Sequence, residues 1–372
     1  MNNPFVSGVI PPGDPFCDRT KELKELTSYA GDNVNVVLYS PRRYGKTSLV
    51  KRVQSALLEK GCVAVYVDLY GVSNMDDVAA RTARSVFSVT HPNDSLFKKT
   101  VRILKAFRPV LRPAETGSGF SLSVEAATES LRGPDLLRET MENLGEFIQS
   151  SKDPVHIAFD EFQEIVEIDG LKVEGILRSY VQVQRASYFF VGSRRRVLLD
   201  MFGQRNRPFF QSSILYELPA LPHDDLVAYI SNGFKKAGKS CPEKVAQQIS
   251  QKVAQHPFYA QKLSFYVFEM TKKTAQSEDV DVAYWRVLEE EKFFFEAILQ
   301  GLTLKQIALL KAIARTPHLT VFSSDFLAKY RFSQGMVQNA VTKLHMLDLI
   351  ERTGRGTWRI VDPVFSQWLK GM

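Results

Sequence analysis

The chain has 372 residues, of which 44% are hydrophobic and 24% charged, and its formal net charge is +7. This length exceeds what one hydrophobic core usually supports, so we expect at least two domains. No apolar run approaches the roughly 18 residues of a membrane span, and the first residues lack the basic-then-apolar order of a secretory signal. The three cysteines form no C-x-x-C pair, so we expect neither a disulfide framework nor a cysteine metal centre, and a reducing cytoplasm fits.

The strongest motif joins a strand to a helix near the start of the chain. The apolar run 34–39 predicts a buried strand, and apolar residues recur at helical spacing from residue 49 onwards. Between them Gly45-Lys46-Thr47-Ser48 matches the P-loop pattern G-x-x-x-x-G-K-[ST], except that Ser40 replaces the first glycine. A chance Gly-Lys-Thr on a surface turn would lack this strand and helix.

A P-loop surrounds phosphate groups with backbone N–H groups at a helix N-terminus. We therefore expect Lys46 to reach the β- and γ-phosphates of ATP, or the β-phosphate of ADP, and the Thr47 hydroxyl to ligate Mg²⁺. Gly45 is expected because a Cβ there would obstruct the close approach of the backbone to the phosphates. The predicted nucleotide-binding residues of the loop are Pro41, Arg42, Arg43, Tyr44, Gly45, Lys46, Thr47 and Ser48.

Further strands and helices alternate and predict an α/β domain with a parallel sheet covered on both faces. The apolar run 154–159 ends in Asp160 and Glu161. Because the carboxyl ends of parallel strands meet at one edge, this acidic pair should lie near the P-loop. We expect Asp160 to hold Mg²⁺ through water, and Glu161 to orient and polarise the attacking water.

Two more catalytic candidates follow in the chain. The strand predicted at 187–193 ends in Ser193, which suits a sensor that hydrogen-bonds the γ-phosphate, although a simple strand cap is the alternative. Any of five arginines could stabilise the charge of phosphoryl transfer, within one subunit or across an interface: Arg194, Arg195, Arg196, Arg205 and Arg207. We single out Arg207. An ordinary solvated arginine is the alternative. The run 214–218 predicts the last strand of the sheet.

Residues 92–133 interrupt the alternation and are interpreted as an insertion. A strand is predicted at 120–124 after a Gly/Ser-rich turn. The basic side of this insertion either contacts nucleic acid or a partner, or is simply solvated. The preceding basic helix, which should end near Pro109 and Pro113, is predicted from Lys98, Lys99, Arg102, Lys105, Arg108 and Arg112.

Residues 221–300 are predicted to be helical, as a lid that follows the sheet. His256 and Pro257 join two of its helices and are candidates for contact with the nucleotide base. A simpler role for Pro257 is the first position of a helix, where its missing N–H is harmless.

Residues 301–372 hold ten Lys/Arg against four Asp/Glu, a net charge of +6. That asymmetry predicts a polyanionic partner, with a solvated basic face as the alternative. Three helices and a glycine-tipped hairpin predict a winged helix, with tentative DNA contacts from Lys343, Arg352, Arg355 and Arg359. The third helix of the winged helix is otherwise poor in arginines that read bases, and winged helices also contact proteins. Duplex DNA and a protein therefore both stay as alternative partners. The third helix should face inward through Met336, Val337, Ala340, Leu344 and Leu347.

Together these motifs resemble the archaeal-type ATPase family, P-loop ATPases that lie between AAA+ proteins and STAND signalling ATPases. The resemblance extends over essentially the whole chain and implies an AAA-like sheet of order 5-1-4-3-2, an ATPase core in 1–220, a lid in 221–300 and a winged helix in 301–372. Besides Ser40, one departure is Gln255, which replaces the glycine expected before His-Pro. The motifs are Phe16–Arg19, Pro41–Ser48, Phe159–Gln163, Gly192-Ser193, Arg207–Phe209, His256-Pro257 and Asp362–Leu369.

The leading hypothesis is a Mg-ATP-dependent switch with slow hydrolysis, whose turnover moves the lid and the winged helix between two arrangements. One alternative is a DNA-binding regulator with a purely structural nucleotide site. Another is a DNA-remodelling or loading AAA+ assembly that forms ATP-dependent homo-oligomers. We expect a cytoplasmic protein without a membrane partner in each case.

Overall fold

A computed structural model describes residues 3–5, 8, 17, 19–89, 107–113, 120–126, 131–317 and 319–372. Contacts between Cα atoms divide the chain into two compact units. The sheet unit comprises residues 20–40 and 46–218, and the helical unit comprises residues 1–19, 41–45 and 219–372.

The sheet unit contains five parallel strands in the order β2-β5-β6-β1-β7. Numbering only these five strands along the chain gives the order 5-1-4-3-2 from the opposite edge, so the predicted sheet order is confirmed. Helices cover both faces, as expected for a parallel sheet. Its strands are β1 (Val36–Tyr39), β2 (Val63–Asp68), β5 (Val155–Asp160), β6 (Ser187–Gly192) and β7 (Ile214–Glu217). Its helices are α1 (Thr20–Gly31), α2 (Lys46–Glu59), α3 (Met75–Ser88), α4 (Gly133–Ser150), a 3₁₀ helix (Phe162–Ile168), α5 (Gly170–Val181) and α6 (Arg195–Gly203).

Alternation along the strands divides the core between the two faces of the sheet. Val37 packs into one apolar cluster, while Val36 and Leu38 pack into the other. In the first cluster the Phe162 ring lies 4.6 Å from that of Phe190, measured between centroids. This buried aromatic contact anchors the start of the 3₁₀ helix directly after β5.

The insertion contains an antiparallel hairpin formed by β3 (Phe107–Pro113) and β4 (Phe120–Ala126). The predicted strand at 120–124 is confirmed, but the basic helix predicted to continue to Arg112 is wrong, because residues 107–113 are extended. Arg108 and Arg112 each precede a proline, and a residue before proline is disfavoured in helical geometry. The remainder of the predicted basic helix, at residues 98–105, lies outside the described residues.

The helical unit contains the predicted helices of the lid and the predicted winged helix. No described helix of the chain is long and apolar enough to cross a membrane. The lid helices are α7 (His223–Lys236), α8 (Glu243–Lys252), α9 (Pro257–Met270) and α10 (Ser277–Gln300). The winged helix comprises α11 (Leu304–Arg315), α12 (Ser324–Tyr330), α13 (Gln334–Met346), β8 (Ile350–Arg352), β9 (Trp358–Ile360) and α14 (Pro363–Gly371).

The third helix of the winged helix, α13, begins at a polar cap and buries one face. The Ser333 hydroxyl accepts a hydrogen bond from the Met336 N–H at 3.3 Å, a standard N-cap contact. Val337, Ala340 and Leu344 are buried as predicted, but Leu347 is 45% exposed. The prediction for Leu347 is wrong because α13 ends at the preceding residue, where the helical spacing stops applying.

Candidate functional site

The P-loop lysine is the first residue of α2 and is only 6% exposed. Its Nζ donates to the backbone oxygen of Ser40 at 3.1 Å and to the Ser40 hydroxyl at 3.3 Å. The residue that departs from the P-loop pattern therefore supplies a side-chain acceptor that glycine lacks. Burying an ammonium group requires such acceptors. The two Ser40 oxygens therefore hold the Lys46 ammonium group next to the end of β1.

Thr47 and Asp160 meet at the carboxyl ends of β1 and β5, as their motifs predict. The Thr47 hydroxyl donates to Asp160 Oδ2 at 2.7 Å. Both atoms are hard oxygen donors of the kind that Mg²⁺ prefers, and adjacent ligands of an octahedral Mg²⁺ lie about 3 Å apart. The pair therefore fits a magnesium site, in which Thr47 would bind through a lone pair of its neutral hydroxyl and Asp160 would contribute its carboxylate, directly or through water.

A tyrosine on the neighbouring strand completes the surroundings of Asp160. The Tyr66 hydroxyl donates to the same Oδ2 atom at 2.5 Å. Burial raises the pKa of the Asp160 carboxyl above its usual range, while the hydrogen bonds from Tyr66 and Thr47 act in the opposite direction. The two donors therefore stabilise the ionised form that a bound cation requires.

Glu161, the residue after Asp160, has a left-handed backbone conformation, with φ 51° and ψ 40°. A non-glycine residue seldom adopts this conformation, which clusters at functional sites. Its carboxylate Oε2 accepts hydrogen bonds from the Ser193 hydroxyl at 3.1 Å and from the Gln163 amide. The predicted catalytic carboxylate and the predicted sensor are thus in direct contact.

The turn 41–45 belongs to the helical unit, and Arg43 is bound there. Its Nη1 donates to Glu291 Oε2 at 3.0 Å, and its guanidinium carbon lies 4.3 Å from the centre of the Phe258 ring. Glu291 is only 2% exposed and also accepts from Lys262 Nζ at 2.6 Å. A buried carboxylate with two cationic partners is well compensated.

Gly45 is needed in this turn for its backbone conformation. Its φ is +88°, a left-handed conformation that glycine adopts more readily than any other residue. The close approach of the backbone to the phosphates, for which glycine is expected from the sequence, stays a prediction.

His256 and Pro257, the two predicted base-contacting residues, have structural partners in the same unit. The His256 ring lies 4.7 Å from the Tyr44 ring of the P-loop, in an edge arrangement. Pro257 occupies the first turn of α9, as its simpler role requires. Gln255 has φ 56°, which explains why a glycine is typical there, and contact with a nucleotide base stays a prediction.

Arg207 lies in an ion pair with a buried carboxylate of the sheet unit. Its Nε donates to Glu174 at 3.1 Å, and its Nη2 donates to the other carboxylate oxygen. Glu174 is fully buried, so this pairing satisfies a charge that would otherwise be costly. Among the described residues, the hydrogen bonds of Arg207 do not reach the P-loop or the acidic pair, and its catalytic role stays a prediction.

The four tentative DNA-contacting residues are exposed on the winged helix. Arg352 Nε donates to the Gly354 carbonyl at 3.0 Å, and Arg359 Nε donates to Glu351 at 2.5 Å. Arg355 lies in the turn between β8 and β9, and Lys343 lies in the last turn of α13. These residues share one module, but their local partners say nothing about a ligand.

Three residues of these surroundings were given no role by sequence reasoning: Tyr66, Gln163 and Glu291. Tyr66 becomes relevant only because β2 and β5 are neighbours, with Tyr66 in register with Ala158. Gln163 lies inside the acidic motif, so its position two residues after Glu161 was the available signal. No local signal marked Glu291, which is 248 residues from Arg43.

Residues 16–207 match the family described as an ATPase domain predominantly from Archaea, and residues 293–371 match a probable winged helix domain. Among proteins of curated function, none matches the sequence.

Several solved structures share the fold along nearly the whole chain. The Walker-type ATPase PABY2304 of Pyrococcus abyssi has a TM-score of 0.71 at 17% identity, covering 98% of this chain and 99% of that chain. The Aeropyrum pernix ORC2 protein, solved in ADPNP-ADP complexes, has a TM-score of 0.60 at 16% identity, covering 99% and 96%. The Aeropyrum pernix ORC1 protein in complex with DNA has a TM-score of 0.50 at 14% identity, covering 97% and 94%. At these identities the similarity establishes the shared fold alone.

Proposed function

Because the chain belongs to the family of ATPase domains found predominantly in Archaea, we propose that it hydrolyses Mg-ATP and uses the cycle as a molecular switch. The observation that supports hydrolysis most strongly is the meeting of two motifs in the sheet unit. Thr47 is hydrogen-bonded to Asp160, and the neighbouring Glu161 is hydrogen-bonded to Ser193. A lysine, two magnesium-compatible oxygens, a second carboxylate and a hydroxyl are the parts that phosphoryl transfer to water requires.

Each of these side chains receives a role in the proposal. Lys46 binds the β/γ-phosphates, and Thr47 and Asp160 hold Mg²⁺, which when bound neutralises the charge that develops on the phosphate oxygens. Glu161 orients the attacking water and accepts its proton. Its hydrogen bond to Glu161 supports Ser193 as the group that detects whether the γ-phosphate is present. Arg207, whose guanidinium is paired with Glu174, stays the arginine proposed to stabilise the charge of phosphoryl transfer.

The switch part of the proposal is supported by the contacts of the P-loop turn within the helical unit. Arg43 is joined to Glu291 of α10 and to Phe258 of α9. A phosphate is a strong competitor for a guanidinium, since it offers charged oxygens in bidentate geometry. Binding and loss of the γ-phosphate would therefore change how Arg43 is shared with the lid helices, which is the differential interaction that a switch needs.

Contact with duplex DNA is a second candidate function for the winged helix. It is supported by the net charge of +6 in residues 301–372 and by the exposure of all four tentative contact residues. The similar fold of an ORC1 protein solved with DNA makes this candidate worth testing. A non-specific complex held mainly by phosphate contacts is expected from such a surface.

One set of measurements on the full chain tests these candidates. Steady-state ATP turnover is measured with and without duplex DNA, and the mass in solution is measured with ATP and with ADP. Slow turnover that is independent of DNA supports the switch. DNA-stimulated turnover together with larger assemblies in ATP favours a remodelling assembly, and nucleotide binding without turnover favours a regulator with a structural nucleotide site.

A further inference from the structure

The side-chain amide of Gln163 lies beside the proposed catalytic carboxylate, and we propose that Gln163 is a positioning residue that holds Glu161 in its water-activating rotamer. This inference rests on the proposed ATPase function and deepens it. Gln163 is the second residue of the 3₁₀ helix and is fully buried. Its Nε2 donates to Glu161 Oε2 and lies 3.5 Å from Glu164 Oε1.

The buried Gln163 side chain lies against the end of β6, where glycine leaves room for it. A Cβ added to Gly192, at the end of β6, would lie 1.9 Å from Gln163 Oε1 and 2.9 Å from Leu198 Cδ1. Phe162 and Ile165, near Gln163 along the chain, are fully buried and fix the start of the 3₁₀ helix. The amide therefore occupies a space that glycine at position 192 leaves open, and side-chain packing prevents it from swinging away.

The orientation of the amide follows from its neighbours. Within the described part of the chain, Gln163 Oε1 is buried without a hydrogen-bond partner. The reverse orientation would place this oxygen against the Glu161 carboxylate, so that two acceptors faced each other and the NH₂ group lost its partner. The amide nitrogen must therefore face the carboxylate.

Among the described residues, the hydrogen-bond contacts of the Gln163 amide are with Glu161 and Glu164, which belong to its own segment of the chain. The amide therefore does not tie one element of the fold to another, and an apolar side chain of similar volume would fill the same space. What the amide provides, and an apolar side chain lacks, is a directional N–H donor toward Glu161. We infer that this donor is the reason for glutamine at this position.

The donor arrangement leaves one oxygen of Glu161 available for water. Both hydrogen bonds to the carboxylate, from Gln163 and from Ser193, reach Oε2, and the described residues place no donor on Oε1. A general base must lie within hydrogen-bond reach of the water that it activates, and a misplacement of about 1 Å can cost about 100-fold in rate. Gln163 should therefore affect the hydrolysis step and leave nucleotide binding unchanged.

The test compares two glutamine-to-methionine variants of the full chain. For Gln163→Met we expect single-turnover hydrolysis of Mg-ATP to fall about 10- to 100-fold. The affinity for ATP, measured by calorimetry, should stay within about twofold of wild type, and the thermal midpoint of the nucleotide-free protein should be equal or higher. Gln163→Leu serves as a second variant if the methionine is poorly accommodated.

Gln184 provides the matched control, because both ends of its amide are satisfied. Its Nε2 donates to the Met141 carbonyl at 2.7 Å, and its Oε1 accepts from the Tyr188 hydroxyl. Gln184→Met should therefore lower the thermal midpoint and leave hydrolysis unchanged. A structural role for Gln163 would make the two variants behave alike.

A double-mutant cycle connects the effect to Glu161. In a Glu161→Gln background, Gln163→Met should cause no further loss of hydrolysis. An equal further loss there, or a wild-type rate in Gln163→Met beside an inactive Glu161→Gln, would overturn this inference alone. Hydrolysis that survives Glu161→Gln would instead overturn the proposed function, and the role of Gln163 with it.

Discussion

The edge of the sheet and the winged helix both carry conspicuous polar residues, but they differ in burial. At the sheet edge Lys46, Asp160 and Gln163 are all nearly or fully buried, and each has a specific partner. On the winged helix Arg352 and Arg355 are exposed. A buried polar group must be compensated, so its partners indicate what it does, whereas an exposed cation indicates only the sign of the charge that it attracts.

Because the sheet-edge residues are buried and specifically paired, we expect substitutions there to have large effects on single steps of the ATP cycle. Glu161→Gln should cause the largest. Its amide cannot accept the proton of water, so hydrolysis should fall by between about 10² and 10⁴ while ATP binding persists. Turnover and calorimetry check the two parts separately. Glu164→Gln is the matched control, and a reversal of the two phenotypes would make Glu164 the base.

Lys46→Ala should act on an earlier step. Removing a buried cation from the β/γ-phosphates should weaken Mg-ATP binding by about 100-fold, and hydrolysis at low ATP should fall with it. Calorimetry with Mg²⁺ present measures the affinity. Lys60→Ala, which removes an exposed lysine just beyond α2, should bind like wild type, and normal affinity in a folded Lys46→Ala would refute the P-loop assignment.

On the winged helix we expect a smaller and less specific effect. Replacing Arg352, Arg355 and Arg359 together by Ala should weaken binding to unrelated duplexes about tenfold. The slope of log affinity against log salt should fall by up to roughly 2–3 if each arginine contacts a phosphate. Fluorescence anisotropy of the full chain over a salt series measures both quantities.

A charge-matched control distinguishes contact from net charge. Ala at Lys235, Lys236 and Lys244 removes the same charge from exposed positions on the lid. If both triple variants lose the same affinity, the winged helix has no privileged contact with DNA. If wild type binds no duplex at low salt, the winged helix is better interpreted as a protein-contact module.

The smallest effect should come from Tyr66→Phe, which removes a single hydrogen-bond partner of Asp160 at the sheet edge. Loss of one hydrogen bond to Asp160 Oδ2 should raise the Mg²⁺ concentration needed for half-maximal hydrolysis about fivefold. Tyr216→Phe removes a similar tyrosine–carboxylate bond, to Glu25 at 2.7 Å in the same unit, and should not change the Mg²⁺ requirement. An unchanged requirement in both variants would show that Asp160 needs no help from Tyr66.

The sequence by itself determined the P-loop, the acidic pair and the winged helix, and its resemblance to a known family implied the sheet order. The residues within each motif, Gly45-Lys46-Thr47-Ser48 and Asp160-Glu161, are adjacent in the chain, so the residue types alone indicate the chemistry of each motif. Alternating strands and helices restrict the topology of a parallel sheet, which brings the two motifs to one edge. The exception is the basic helix predicted to end near residue 112, where charge spacing outweighed the prolines that favour a strand.

Only the tertiary structure decided which side chains support these motifs. Tyr66 reaches Asp160 across 94 positions of the chain, and Arg43 reaches Glu291 across 248. The role of Gln163 depends on the space above Gly192, which β6 supplies. Such contacts arise from strand adjacency and packing, which no local pattern of residue types encodes, because tyrosine, glutamine and glutamate also occur throughout ordinary helices and strands without such roles.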